Sequence, residues 1–147
     1  MALNTQSLGR ALEPHIYAVG REKIREYARA VGETNPVYLE LEAAHAAGHR
    51  DLVAPPMFAV VYCSSAIEQA LLDPAVGIDF AMLVHGGQEF EWGPLVVAGD
   101  EITTQVTVAE IYERIGMAFY VFASRSTNQR AELVSSGIWT QIVRPRT

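Results

Sequence analysis

The chain has a single cysteine, a single lysine, and charged residues at only 19% of its 147 positions. One thiol, Cys63, excludes an internal disulfide framework and fits a reducing compartment. It lies in an apolar stretch and reads as a buried, inert thiol. No uninterrupted apolar run reaches the ~18–20 residues needed to span a bilayer as a helix. There is no basic run, and the formal charge is −6, which argues against nucleic acid as a partner. The N-terminus lacks a charged region followed by an apolar core, so no secretory signal is expected and the cytoplasm is the expected location.

What is present suits a folded domain. Half the residues are apolar, which excludes disorder and leaves apolar surface for a subunit interface. A chain of this length buries a core of its own as one domain. Arginine supplies all the basic residues but Lys23, a bias toward planar, bidentate contacts with carboxylate or phosphate.

Helices come early and strands come late. After a short extended piece at 15–20, Ile24, Tyr27, Ala28 and Val31 recur at helical spacing, predicting a helix over 21–31 with Arg21, Glu22, Arg25 and Arg29 opposite. Glu22 and Glu26 are placed to pair with Arg25 and Arg29. Gly32 ends this helix and Pro36 prevents its restart. A second helix is predicted over 39–47. Ala54-Pro55-Pro56 then opens a run, 57–72, that is apolar almost all round and predicts a buried helix, with proline well placed in its first turn. Downstream, alternating segments predict strands around 88–92, 102–108, 117–124 and 133–143, joined as a meander, with Gly137 as a bulge. Periodicity alone gives α+β with a segregated antiparallel sheet.

Four segments carry a family resemblance: Glu33-Thr34-Asn35-Pro36-Val37-Tyr38, Val53-Ala54-Pro55-Pro56-Met57, His85-Gly86-Gly87-Gln88-Glu89-Phe90, and Pro94 through Asp100. The first resembles the Asp-x-Asn-Pro-x-His segment of MaoC-like dehydratases and hydratases, and the resemblance covers roughly residues 15 to 145. It is similar in particular to subunits of actinobacterial heterodimeric (3R)-hydroxyacyl-ACP dehydratases that lack their own catalytic pair. The resemblance implies a single hot-dog domain over residues 1–147, with a long antiparallel sheet wrapped around a central helix. It also implies a lyase of fatty acid metabolism acting on acyl-CoA or acyl-ACP, and a dimer formed by pairing sheets edge to edge. No cofactor or metal is implied, because the chemistry is proton transfer on an activated thioester.

The chain departs from that pattern at each catalytic position. In the family, Asp and His move the protons, and a backbone N–H at the start of the buried helix holds the thioester oxygen. Here Glu33 stands at the Asp position, one methylene longer. Tyr38 stands at the His position; its hydroxyl titrates near pH 10, which makes it a poor base at neutrality. Pro56 falls where the family has the helix-start glycine and has no N–H to offer. Glu33 and Tyr38 are therefore the candidate, degenerate catalytic positions, and Asn35, Pro56, Met57, His85 and Gly86 the candidate substrate-binding ones.

Each residue also has a structural reading. Asn35 with Pro36 shapes a turn by bonding its own backbone, Tyr38 packs as an amphipathic core residue, Glu33 is a helix-end carboxylate, and His85 sits on an edge strand. His45 and His49 have the spacing of a metal pair but no third ligand in sequence. The row Arg21, Arg25 and Arg29 is a solvated face or a contact for an acidic carrier or a CoA phosphate. Three functions stay open. They are a non-catalytic subunit paired with a catalytic hot-dog chain, a self-sufficient homodimeric hydratase using Glu33 and Tyr38, and an acyl-thioester binding protein without turnover.

Overall fold

A computed structural model describes residues 3–146. The elements run β1 (His15–Ala18), α1 (Arg21–Ala30), α2 (Leu41–Ala46), α3 (Ala59–Leu72), β2 (Leu83–Trp92), β3 (Glu101–Arg114), β4 (Met117–Thr127) and β5 (Leu133–Val143). Single turns of 3₁₀ helix at Pro36–Tyr38, Pro56–Phe58 and Phe80–Met82 join them. The five strands form one antiparallel sheet in the order β1-β3-β4-β5-β2.

The helix α3 lies across one face of this sheet, which is the hot-dog arrangement that the resemblance implies. Ala59, Cys63, Ala66 and Ala70 are fully or almost fully buried, and these small side chains let the helix approach Ile102, Val106, Val108 and Phe122 closely. Alternation along β3 does the rest, since Ile102, Thr104, Val106 and Val108 all point inward, as period two requires. Buried hydroxyls under the helix are paired: Tyr62 OH of α3 donates across to Ser135 Oγ of β5 at 2.8 Å, while between neighbouring strands Thr104 and Ser126 share a bond of 2.7 Å and Trp139 Nε1 donates to Ser124 Oγ at 2.8 Å. Cys63 packs beside Thr104 and Ser126, and burial pushes its thiol pKa up, as expected of an inert thiol.

Four expectations are corrected. The helix α3 is not buried all round: Ser64, Glu68, Gln69 and Leu72 face solvent, because the sheet covers one side only. The 39–47 helix shrinks to Leu41–Ala46, its predicted start consumed by the 3₁₀ turn that Asn35 and Pro36 initiate. The strands β3, β4 and β5 make a meander, but β2 crosses over to pair with β5 at the far edge. Gly137 is not a bulge. It leaves room for the Phe90 ring, which a Cβ there would approach to 2.8 Å. The irregularity in β2 falls instead between His85 and Gly87.

Gly93, at the end of β2, is required by close approach. A Cβ on it would lie 2.1 Å from the Leu133 carbonyl oxygen, and its N–H donates to Val134 O at 2.9 Å. Gly93→Ala is expected to cost about 2 kcal/mol, the usual scale of overpacking against an unyielding neighbour. Urea denaturation checks this, and an unchanged midpoint would refute it.

Candidate functional site

The Glu33 region is built by a helix end. Gly32 adopts a left-handed φ of +77°. Its N–H donates to Arg29 O at 3.2 Å, and the Glu33 N–H donates to Ala28 O at 2.8 Å. This is the paired-bond Schellman closure that glycine makes possible. It turns the chain sharply and sets Glu33, half-buried, in the wall of an open cleft of about 440 Å³. The other walls are Tyr27, Val31, Pro55, Pro56 and Met57. Val31 was expected in the core stripe of α1 but is 54% exposed, because it faces this cleft rather than the sheet.

The next turn follows from Asn-Pro. The Asn35 side-chain oxygen accepts the Val37 N–H at 3.2 Å and caps the 3₁₀ turn that ends at Tyr38. The Val53 N–H donates to Val37 O at 3.0 Å, so the turn is strapped to the segment leading into Pro55-Pro56. Burial raises the Tyr38 hydroxyl pKa above its ordinary value, and the nearby Glu33 charge adds to that rise. Tyr27 is raised by the same two causes in the same order. Glu33 thus sits within electrostatic reach of two tyrosines. Tyr38 stays protonated at neutral pH, where it can give a proton but is a poor base.

Pro56 opens the helical run that leads into α3 and supplies no N–H. The Met57 N–H finds no protein acceptor among the described residues, while the Phe58 N–H is taken by Pro55 O at 2.8 Å. Trp92, at the end of β2, donates its Nε1–H to Pro56 O at 3.0 Å and so ties the sheet edge to the helix start. Behind Pro55 and Pro56 lies a smaller apolar hollow of about 50 Å³, walled by Tyr62, Trp92, Pro94 and Leu95. The two prolines form a wall common to both spaces.

Of the residues singled out from sequence, the fold brings Glu33, Pro56 and Met57 into one cleft, with Tyr38 close by. Asn35 is exposed and engaged as a cap. His85 and Gly86 lie on the edge strand β2, outside that cleft. The His85 Nδ1 is 3.0 Å from Gln141 Nε2, and its ring stands edge-on to Trp139 at 6.2 Å. Gly86 makes room for Ile142, whose Cδ1 would be 2.5 Å from an added Cβ. His45 Nε2 contacts the Arg50 carbonyl at 3.1 Å. The arginine row is partly committed within the chain, since Arg21 grips Asp51 through two bonds of 2.8 and 2.9 Å, and Arg25 binds Leu39 O and Glu22. Sequence reasoning missed Tyr27, Val31 and Trp92, which carry no motif; the apolar spacing that placed Tyr27 and Val31 on a core stripe was the only signal.

Comparisons with known proteins agree on the kind of fold. A family model described as "FAS1-like, dehydratase domain region" matches residues 6–136. A relative from Clavibacter michiganensis named "UPF0336 protein" is 43% identical over 145 residues, covering 98% of this chain and 97% of its own. The C-terminally truncated HadBC (3R-hydroxyacyl-ACP dehydratase) complex of Mycobacterium tuberculosis superposes with a TM-score of 0.84 at 30% identity, over 95% of this chain and 99% of that one. A protein described as a MaoC-like dehydratase superposes with a TM-score of 0.85 at 27% identity, over 96% of this chain and 43% of the longer one.

Proposed function

The chain belongs to the FAS1-like dehydratase-domain family of MaoC-like hot-dog proteins, and on that premise we propose that it is the non-catalytic subunit of a (3R)-hydroxyacyl thioester dehydratase. In this reading it supplies acyl-binding surface and half of the subunit interface, while a partner hot-dog chain supplies the Asp and His. The observation that carries it is the state of the Glu33 cleft. The shape is kept by Gly32, Asn35 and Pro36, but the three groups that the reaction needs are replaced together by Glu33, Tyr38 and Pro56. Similarity to a chain of the HadBC complex supports assembly with a second chain.

The chemistry follows from what remains. Dehydration removes the α-proton, protonates the departing hydroxyl and stabilises an enolate-like oxygen. Tyr38 can give a proton but is a poor base at neutral pH, and Pro56 offers no N–H, so the cleft binds better than it turns over. The apolar walls Tyr27, Val31 and Met57, with the hollow behind the prolines, suit an acyl chain whose carrier stays outside.

The test is hydration of a short enoyl-CoA, followed by loss of the conjugated enoyl absorbance. The chain alone is expected to be inactive, and addition of a hot-dog chain with intact Asp-x-Asn-Pro-x-His is expected to raise the rate at least tenfold above that chain by itself. Turnover by this chain alone that collapses in Glu33→Gln would overturn the reading and make Glu33 a proton-transfer group. Tight acyl-CoA binding without turnover under any pairing would make it a binding protein instead.

A further inference from the structure

The outer face of the sheet, turned away from α3, carries an apolar row that the described residues leave open to solvent. Register sets Tyr112, Phe119, Ile142 and Val84 side by side across β3, β4, β5 and β2. Tyr112 and Val84 are exposed, Phe119 and Ile142 are half-buried, and the two aromatic rings stack at 4.9 Å. Two rows along, Thr107, Ala123, the exposed Ile138 and Glu89 form a parallel line, and Gln105, Arg125, Ser136 and Glu91 form the next. Neither Arg125 nor Glu91 has an ion-pair partner among the described residues. At ~4.8 Å between strands and ~7 Å between rows, the face measures roughly 20 Å by 25 Å, or ~500 Å². An exposed apolar row on a face of that extent marks an interaction surface.

The face fits itself. A two-fold axis parallel to the strands, midway between β4 and β5, lays β3 on β2 and β4 on β5 of a second copy. Tyr112 then meets Val84, Phe119 meets Ile142 and Ala123 meets Ile138, so bulk lies opposite the lack of it, as interdigitating layers require. Glu110 meets Gly87, Glu89 meets Thr107, and no two like charges stand directly opposite. Arg125 meets Ser136 with Glu91 one strand spacing aside, and the two unpaired charges point at each other across the gap. Within one chain the same two side chains point the same way, about two strand spacings, ~10 Å, apart. An axis across the strands would instead set the apolar row against Gln105, Arg125, Ser136 and Glu91.

We propose that this outer face pairs with the same face of a second copy about the axis parallel to the strands, apolar row against apolar row. Two faces give ~1,000 Å² in total, the low end of specific interfaces, so the pairing is weak and reversible. It leaves the β2 edge free for a different chain. The inference therefore goes beyond the subunit reading and does not rest on it.

Sedimentation of the full chain over a wide range of concentration tests this, with circular dichroism confirming that each variant is folded. Val84→Glu with Ile138→Glu, both at exposed positions, should weaken self-association at least tenfold. Arg125→Glu alone and Glu91→Arg alone should each weaken it about tenfold, because each sets like charges together twice. An equimolar mixture of those two variants should regain the native strength, since every charge then meets its opposite. Pairing along the β2 edge could not recover in this way, because Arg125 lies two strands in from that edge. Absence of self-association, no effect of the Val84 and Ile138 changes, or no recovery on mixing would each overturn the proposal. Binding to lipid vesicles that is lost in the Val84→Glu, Ile138→Glu variant would also overturn it and give the face to a membrane. Failure here, with enoyl-CoA hydration still gained on adding a catalytic chain, would leave the subunit reading intact.

Discussion

A chain carrying Glu33→Asp, Tyr38→His and Pro56→Gly together is expected to hydrate a short enoyl-CoA ~100-fold or more faster than one carrying only Glu33→Asp and Tyr38→His. The double variant restores a carboxylate of the family's length and an imidazole that titrates near pH 6.5, both fit for proton transfer at neutrality. It does not restore the donor to the thioester oxygen. Loss of one such donor commonly costs 10²–10³ in rate, because the charge that develops on oxygen then has no preorganised partner. Pro56→Gly returns an N–H at the start of the helical run into α3, and the carbonyl that accepts from Trp92 is kept. The more flexible residue costs about 1 kcal/mol through the unfolded chain, which a melting curve separates from the kinetic effect. The two variants differ only at residue 56, so native mass spectrometry of both checks that assembly is the same. Equal rates would show that the unpartnered Met57 N–H already serves the oxygen, and the Pro56 argument would fail.

The parts of this molecule that were legible in its sequence are those governed by local rules. Gly32 and Asn35-Pro36 act within a few residues of themselves, and the helix end and capped turn stand where the sequence puts them. The inward face of β3 could be read from strict alternation. The crossover of β2 could not, because nothing within Leu83–Trp92 states which strand it will join; that depends on how the α3 crossing and the Pro94–Gly99 segment deliver the chain. Gly137 was misread for a similar reason, since its need for space comes from Phe90, nearly fifty residues earlier. The candidate site shows the same division. Glu33 and Tyr38 were visible through the motif, whereas Val31 changed from core to cleft wall because Pro55 and Pro56 pack beside it from a distant segment. Trp92 entered only through its bond to the Pro56 carbonyl, which no spacing rule foretells.

Asp100→Ala is expected to cost about 3–4 kcal/mol at pH 7, the scale of removing one partner from a buried charged network, and less once acid protonates the native carboxylate. The carboxylate is fully buried and accepts from three directions: the Val97 N–H at 3.0 Å, Gln129 Nε2 at 2.9 Å and Arg50 Nη2 at 2.8 Å. These contacts join the segment after α2, the Val97–Asp100 turn and the β4–β5 connection, three pieces of chain distant in sequence. Burial alone would raise the pKa of this carboxyl. The three donors outweigh that effect and hold it below the ordinary carboxylate value. A folded-state pKa below the unfolded one gives stability that is present above the unfolded value, near 3.9, and is lost as pH falls through the folded value. Arg50 is 57% exposed and rehydrates easily, so the cost of the alanine lies mainly in the stranded Val97 N–H and Gln129 amide. Asp100→Asn should lie between the two, since it keeps one acceptor but brings an NH₂ toward groups that already donate. Urea denaturation of the three proteins at pH 7 and pH 2 checks the sign and the size. A gap between the native and alanine proteins that does not shrink on acidification would mean that the side chain stabilises by filling space rather than by its charge.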